Sequence, residues 1–202
     1  ALVFWLGDFL LPLELAVLLS MVATLLLTGA FHEDGLSDAV DGLGGGWEKE
    51  QVLTIMTDSR VGSYGAIAIV LALLIKFQAL SHLSAAMIPL ALVAGHALSR
   101  FCAALVIATQ SYVKPEGKAK PLATQITPGE LLVAAVFGLL PLVLLDIRLL
   151  SALVPVTLVW FWFSAKIRSR IGGYTGGCLG AMQQLTEVAF YLGLLVSIAL
   201  TF

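Results

Sequence analysis

The sequence predicts an all-α, polytopic integral membrane helical bundle with about six transmembrane helices. Three observations carry that prediction. The chain of 202 residues is 59% hydrophobic and only 12% charged, about half the charged fraction of an ordinary soluble domain. Its mean hydropathy is +1.00, more apolar matter than one soluble domain of this size can hide from water. Six apolar stretches of near-spanning length recur along it.

In chain order these stretches are Phe9–Phe31, Gly62–Leu80, Leu83–Thr109, Leu131–Leu145, Leu149–Ala165 and Met182–Phe202. The first is interrupted only by Pro12 and Glu14, and the second carries Lys76 near its end. The third holds Pro89, His96 and Arg100, with Arg100 toward one end and expected to face the bundle interior. The fourth and fifth are short against the ~20 residues that a bilayer asks of a helix, so their ends are expected to extend into neighbouring residues. No repeat or heptad is evident, and 1–202 reads as one membrane-embedded domain.

The connecting segments differ sharply in charge. The loops at 32–60, 110–130 and 166–177 fall on one side of the membrane. They hold Lys49, Arg60, Lys114, Lys118, Lys120, Lys166, Arg168 and Arg170, whereas Arg148 stands alone on the other side. The positive-inside rule puts the basic side in the cytoplasm. The same loops hold nearly all the polar, glycine-rich sequence, so the expectation is a cytoplasm-facing active site. Net charge is −2, which gives no reason to expect nucleic-acid binding. Cys102 and Cys178 form no disulfide or metal framework.

The stretch His32-Glu33-Asp34-Gly35-Leu36-Ser37-Asp38-Ala39-Val40-Asp41 is the most informative. Asp34, Asp38 and Asp41 stand at i, i+4 and i+7, one face of a helix. Like charges so placed call for a cation. Hard oxygen donors without Cys favour Mg²⁺ or Mn²⁺, which complete their shells with water and substrate phosphate. The alternative is an acidic solvated loop. Glu33 should point away from that face, solvated or supporting the ligands from behind. Gly44 and Gly45 offer a flexible turn with free N–H groups for a phosphate. Asp58 and Arg60, two apart, fit metal and phosphate binding, or else a surface ion pair and helix cap.

Three further features fit an anionic substrate. Lys118 and Lys120, in the loop with Lys114, could attract it or contact lipid headgroups. Thr175 and Gly176 lie in a Gly-rich segment opening a helix, a ready anion site. Glu187 is an intramembrane carboxylate, functional by default. Arg100 could hold phosphate, and His32 or an aspartate could take a proton. From residues alone the reading reaches phosphate plus divalent metal. A CDP-alcohol-type phosphotransferase, an Asp-rich prenyltransferase and a transporter with intramembrane charges stay open.

Taken together, Thr28 through Gly42, then Asp58-Ser59-Arg60-Val61-Gly62, then Gly172-Gly173-Tyr174-Thr175-Gly176 with Leu179-Gly180-Ala181 and Glu187, resemble the cobalamin synthase family in order and over essentially the whole chain. The resemblance implies an inner-membrane, Mg²⁺-dependent adenosylcobinamide-GDP ribazoletransferase. Its substrates would be adenosylcobinamide-GDP and α-ribazole or α-ribazole 5′-phosphate. Its products would be adenosylcobalamin or its 5′-phosphate, and GMP. Asp34, Asp38, Asp41 and Asp58 would hold metal, and His32 with the first three would be catalytic. Gly44, Gly45, Asp58, Arg60, Arg100, Lys118, Lys120, Thr175, Gly176 and Glu187 would bind substrate. Membrane lipid is an expected partner, and homo-oligomerisation is left open. The family carries an Asp where this chain has Gly177, and also a further N-terminal segment.

Overall fold

The computed structural model describes residues 1–113 and 125–201. It is all-α among those residues, apart from one isolated bridge between Tyr112 and Tyr174. The helices are α1 (Leu2–Asp8), α2 (Leu13–Thr28), α3 (Phe31–Gly45), α4 (Lys49–Ile55), α5 (Ser63–Ser81), α6 (Ile88–Thr109), α7 (Pro128–Leu139), α8 (Leu153–Ile171) and α9 (Gly176–Thr201). Two 3-10 segments, Leu140–Leu144 and Ile147–Ala152, join α7 to α8.

Four helical stretches are long and apolar enough to cross a membrane: Ser63–Ser81, Ile88–Thr109, Ile147–Ile171 and Gly176–Thr201. The bent pair α2 and α3 makes a fifth if the two form one broken span. The all-α membrane class therefore stands with four or five spans, fewer than the six apolar stretches. Two physical causes account for the difference. Helix α7 has 12 residues, about 18 Å at 1.5 Å each, and Pro141 then turns the chain into a 3-10 segment. The first stretch breaks at Gly29 and Ala30, both left-handed at φ 62° and 55°, and α3 leaves α2 at 84°.

That break is held by backbone bonds. The Gly29 and Ala30 amides both donate to Leu25 O, and the Asp34 amide donates to Ala30 O. Ala30 has a Cβ, so its left-handed backbone carries strain of about 1–2 kcal/mol. The strain aims α3 across the bundle.

Helix α9 lies at the centre. Half of its apolar window is buried, against 22% for α5. Helix α3 crosses it through glycines: a Cβ on Gly35 would lie 3.0 Å from the Gly180 Cα and 3.0 Å from the Gly177 O. Outward faces carry Leu26, Leu27, Phe137, Val143, Leu158 and Leu200, all well exposed. Such a surface would aggregate in water and suits lipid.

Candidate active site

Helix α3 carries the aspartate motif, as its spacing predicts, but its neighbours give the three aspartates different surroundings. Asp34 is exposed, Asp38 half-buried and Asp41 buried. The stripe they form runs at its C-terminal end beneath the start of α5. There Asp41 Oδ2 accepts from the Gly62 amide and Oδ1 from the Gly65 amide, both at 2.8 Å. A carboxylate across a helix N-terminus is favoured by the orphan amides and by the helix dipole. Asp41 thus holds α5 in place.

Asp38 faces the other essential element, the turn at 172–175 that opens α9. Gly172 ends α8 in the left-handed conformation at φ 81°, a position that suits glycine. Thr175 then caps α9: its Oγ1 accepts from the Cys178 amide at 3.3 Å, and the side chain is buried. Its hydroxyl serves the helix end rather than solvent. The turn is strapped to the chain following α6 by the Tyr174 amide donating to Ser111 O and the Val113 amide to Tyr174 O, each at 3.0 Å. Gly176 and Gly177 stay half-exposed in the first turn of α9. A Cβ on Gly177 would stand 3.3 Å from the Asp38 Cβ. The result is a pair of carboxylates, Asp34 and Asp38, beside accessible backbone at a helix N-terminus.

Asp58 does not join them. Its carboxylate pairs with Arg60: Nη2 to Oδ2 is 2.6 Å, and Nε reaches both oxygens at 3.1 Å. The Arg60 guanidinium holds the Asp58 carboxyl down at about 2. This is the surface ion pair of the alternative reading. Gly44 and Gly45 are a correction: they lie in the last turn of α3, so their N–H groups belong to the helix ladder and are not free for a phosphate.

Arg100 is a second correction, being exposed rather than turned into the bundle. Its Nη2 lies 3.4 Å from His32 Nε2, and its Nη1 donates to His96 O at 2.9 Å. His32 therefore sits on the α6 side of α3, around the helix from Asp34. Lys118 and Lys120 lie outside the described residues. The segment 166–171, read as loop, is the end of α8. There Arg170 donates to Leu43 O at 3.3 Å and also to Gly46 O, closing the C-terminus of α3. The sequence reading used Arg170 only to set topology.

Glu187 lies in the bundle core, fully buried. Its Oε1 pairs with Lys76 Nζ at 3.0 Å and accepts from Tyr191 Oη at 3.0 Å, and its Oε2 accepts from Gln183 Nε2 at 2.6 Å. These contacts enclose it, so it is not open to a substrate as the resemblance implies. Of the two readings of Glu33, the structure favours the supporting one: it is buried, and its Oε1 accepts from Gln184 Nε2 at 2.8 Å. The missed partner is Lys76. One Lys and one Glu, each alone in an apolar span, were the available signal for an ion pair.

Among the described residues, no three His, Cys, Asp or Glu side chains gather into a metal cage. Four-aspartate ligation is thus not the geometry of this chain. Magnesium does not need it, since it commonly takes one or two carboxylates and fills the rest with water and substrate phosphate. The hard-oxygen pair Asp34 and Asp38, on one open helix face, fits that habit.

Comparisons with known proteins cover nearly the whole chain. The family profile described as cobalamin-5-phosphate synthase matches residues 1–195. A protein of Shewanella amazonensis named adenosylcobinamide-GDP ribazoletransferase is 48% identical over 97% of this chain and 78% of its own length. Proteins of the same name from Shewanella frigidimarina and Ralstonia pickettii are 46% and 47% identical, each over 96% of this chain and 77% and 78% of their own lengths. No solved structure matches. The chain belongs to the cobalamin-5-phosphate synthase family, enzymes that act as transferases in cobalamin synthesis.

Proposed function

We propose that this chain joins adenosylcobinamide-GDP to α-ribazole or α-ribazole 5′-phosphate, releasing GMP, at the face formed by Asp34, Asp38 and the first turn of α9. The observation that supports it most is the approach of Asp38 to Gly177, which sets one aspartate of the motif beside the half-exposed first turn of α9. Phosphoryl transfer asks for positioning and charge neutralisation more than for covalent help.

Asp34 and Asp38 would hold Mg²⁺, which when bound supplies charge neutralisation at a diphosphate. The backbone at Gly176 and Gly177 presents the positive end of α9 to the phosphates. Arg60 is exposed at the mouth of α5 and Arg100 at the α6 side, and both can bind phosphate from outside the pair. The acceptor hydroxyl oxygen of the ribazole forms the new bond to phosphorus, and the bond to GMP breaks. Its proton passes to a carboxylate of the Asp34–Asp38 face, because His32 lies on the far side of α3. Lys49, Arg60, Arg168 and Arg170 lie in the segments at the end of the bundle that carries the C-termini of α3 and α6, and this basic excess supports a cytoplasmic orientation in the inner membrane.

The test is Asp38→Ala in the full chain, purified in detergent. It should leave a folded membrane protein that has lost GMP release by at least about a hundredfold. Near-normal release at matched protein and saturating Mg²⁺ would refute the site.

A further inference from the structure

The contact that aligns the Asp34–Asp38 face is made of glycines. Gly35 of α3 meets Gly177 and Gly180 of α9. Glycine packing brings backbones close but offers no direction along the helix. Directed polar bonds beside such a contact add a preference for one position along the helix. Beneath it lies a set of polar groups that cannot slide. Glu33, next to Asp34 in sequence, points into the bundle and accepts from Gln184 of α9 at 2.8 Å. Gln184 Oε1 accepts from Lys76 Nζ of α5 at 3.0 Å. Lys76 in turn pairs with Glu187 of α9 at 3.0 Å. All four side chains are at least nine-tenths buried.

We propose that this string, Glu33–Gln184–Lys76–Glu187, sets the register of α3 against α9, and that Glu33 and Gln184 are positioning residues for the reaction. The proposal rests on the reading above only in taking Asp34 and Asp38 as the reacting face; the register itself is independent of it.

The energetics favour a register role over simple cohesion. A buried ion pair adds little over apolar residues of the same volume, and apolar residues would have filled this core. A hydrogen bond between buried groups is different, because a shift along the helix leaves both ends unpaired at a cost felt within an ångström. Glu33 makes its bond through one oxygen. The other, Oε2, has no protein partner among the described residues and faces a cavity of about 10 Å³ lined by Lys76, His96 and Glu187. That is room for one water. The Gln184 bond is therefore the single directed side-chain tie that Glu33 makes across to α9.

The geometry supplies its own ruler. The Asp38 Cβ stands 3.3 Å from where a Gly177 Cβ would be, close to the ~3.8 Å of a disulfide. The experiment places Asp38→Cys and Gly177→Cys in the full chain with Cys102→Ala and Cys178→Ser, and measures oxidation to the disulfide in membranes. The pair should form quickly. Adding Glu33→Leu, or separately Gln184→Leu, should slow it at least tenfold. The exchange Glu33→Gln with Gln184→Glu rebuilds this bond with donor and acceptor reversed while losing the Gln184 Nε2 donation to Gln183 Oε1, and should restore part of the lost rate.

A second readout uses the chain with Asp38 and Gly177 intact. Glu33→Leu should raise the Mg²⁺ concentration for half-maximal activity and lower kcat, and the exchange should recover part of both. A purely structural role would lower the yield of folded protein and leave Mg²⁺ half-saturation unchanged. Equal oxidation rates with and without Glu33→Leu would overturn the proposal, leaving the register to the glycines. If Glu33→Leu fails to accumulate, Gln184→Leu decides: an oxidation rate equal to the parent's overturns it. Should the parent chain release no GMP while the oxidation rates behave as expected, the reaction assignment fails and the register stands.

Discussion

Asp41 bridges the amides of Gly62 and Gly65, one carboxylate oxygen to each at 2.8 Å. A residue that its spacing assigns to metal binding is, in this structure, the N-terminal clamp of α5. The consequence is a test of stability rather than of metal. Asp41→Ala should destabilise the protein by about 1–3 kcal/mol through the loss of two buried, charge-assisted bonds. Asp41→Asn keeps one acceptor and should cost less. Thermal unfolding in detergent measures both. Full stability with abolished activity would return Asp41 to the metal.

Lys76 and Glu187 are isolated charges in separate spans that meet in the core. Removing Lys76 takes the ammonium from the buried Glu187 and leaves it Tyr191, Gln183 and, at 3.4 Å, His96 Nδ1. Lys76→Met should therefore cost about 3–5 kcal/mol, read as a large fall in the unfolding midpoint. A change near zero would mean that Gln183, His96 and Tyr191 satisfy Glu187 without the lysine.

Gly177 occupies the position where a carboxylate would join Asp34 and Asp38. A Cβ there is tight, at 3.3 Å from the Asp38 Cβ, yet a few tenths of an ångström of movement accommodates it. Gly177→Asp should lower the Mg²⁺ requirement for activity about tenfold and increase the gain in Tm on adding Mg²⁺. No change in either would place the added carboxylate off the metal.

Arg60 holds the Asp58 carboxyl at about 2, below its ordinary value of 3.8. A depressed carboxyl contributes stability above its unfolded pKa, lost as pH falls through the folded one. The pair is at the surface, where solvent screens it. Arg60→Ala should move the Asp58 titration up toward 3.8, followed by NMR of ¹³C-labelled aspartate, and leave Tm at pH 7 unchanged.

Much of this was legible in the sequence. The apolar stretch at 62–80 became α5 at Ser63–Ser81, and the aspartate motif became a helix because its i, i+4, i+7 spacing needs one. What escaped depended on partners. For Glu33 the chain alone leaves solvent and support from behind equally open, because it does not reveal Gln184. Asp41 looked like a ligand because its claim on α5 is made 21 and 24 residues away. The break at Gly29 and Ala30 hid inside a continuous apolar run, since Ala gives no local sign of a positive φ. The charged end of α8 reads as loop because Lys166, Arg168 and Arg170 are polar, although Arg168 and Arg170 sit favourably in the last turn of a helix.

The central claim is that the Asp34–Asp38 face beside α9 carries out transfer from a GDP-activated corrinoid. Its most direct measurement reconstitutes the purified chain in liposomes with adenosylcobinamide-GDP, α-ribazole and Mg²⁺, and quantifies GMP and corrinoid product together. The account predicts GMP and product in equal amounts, dependent on α-ribazole and lost in Asp38→Ala. GMP release without a joined product, or equal turnover in Asp38→Ala, would contradict it.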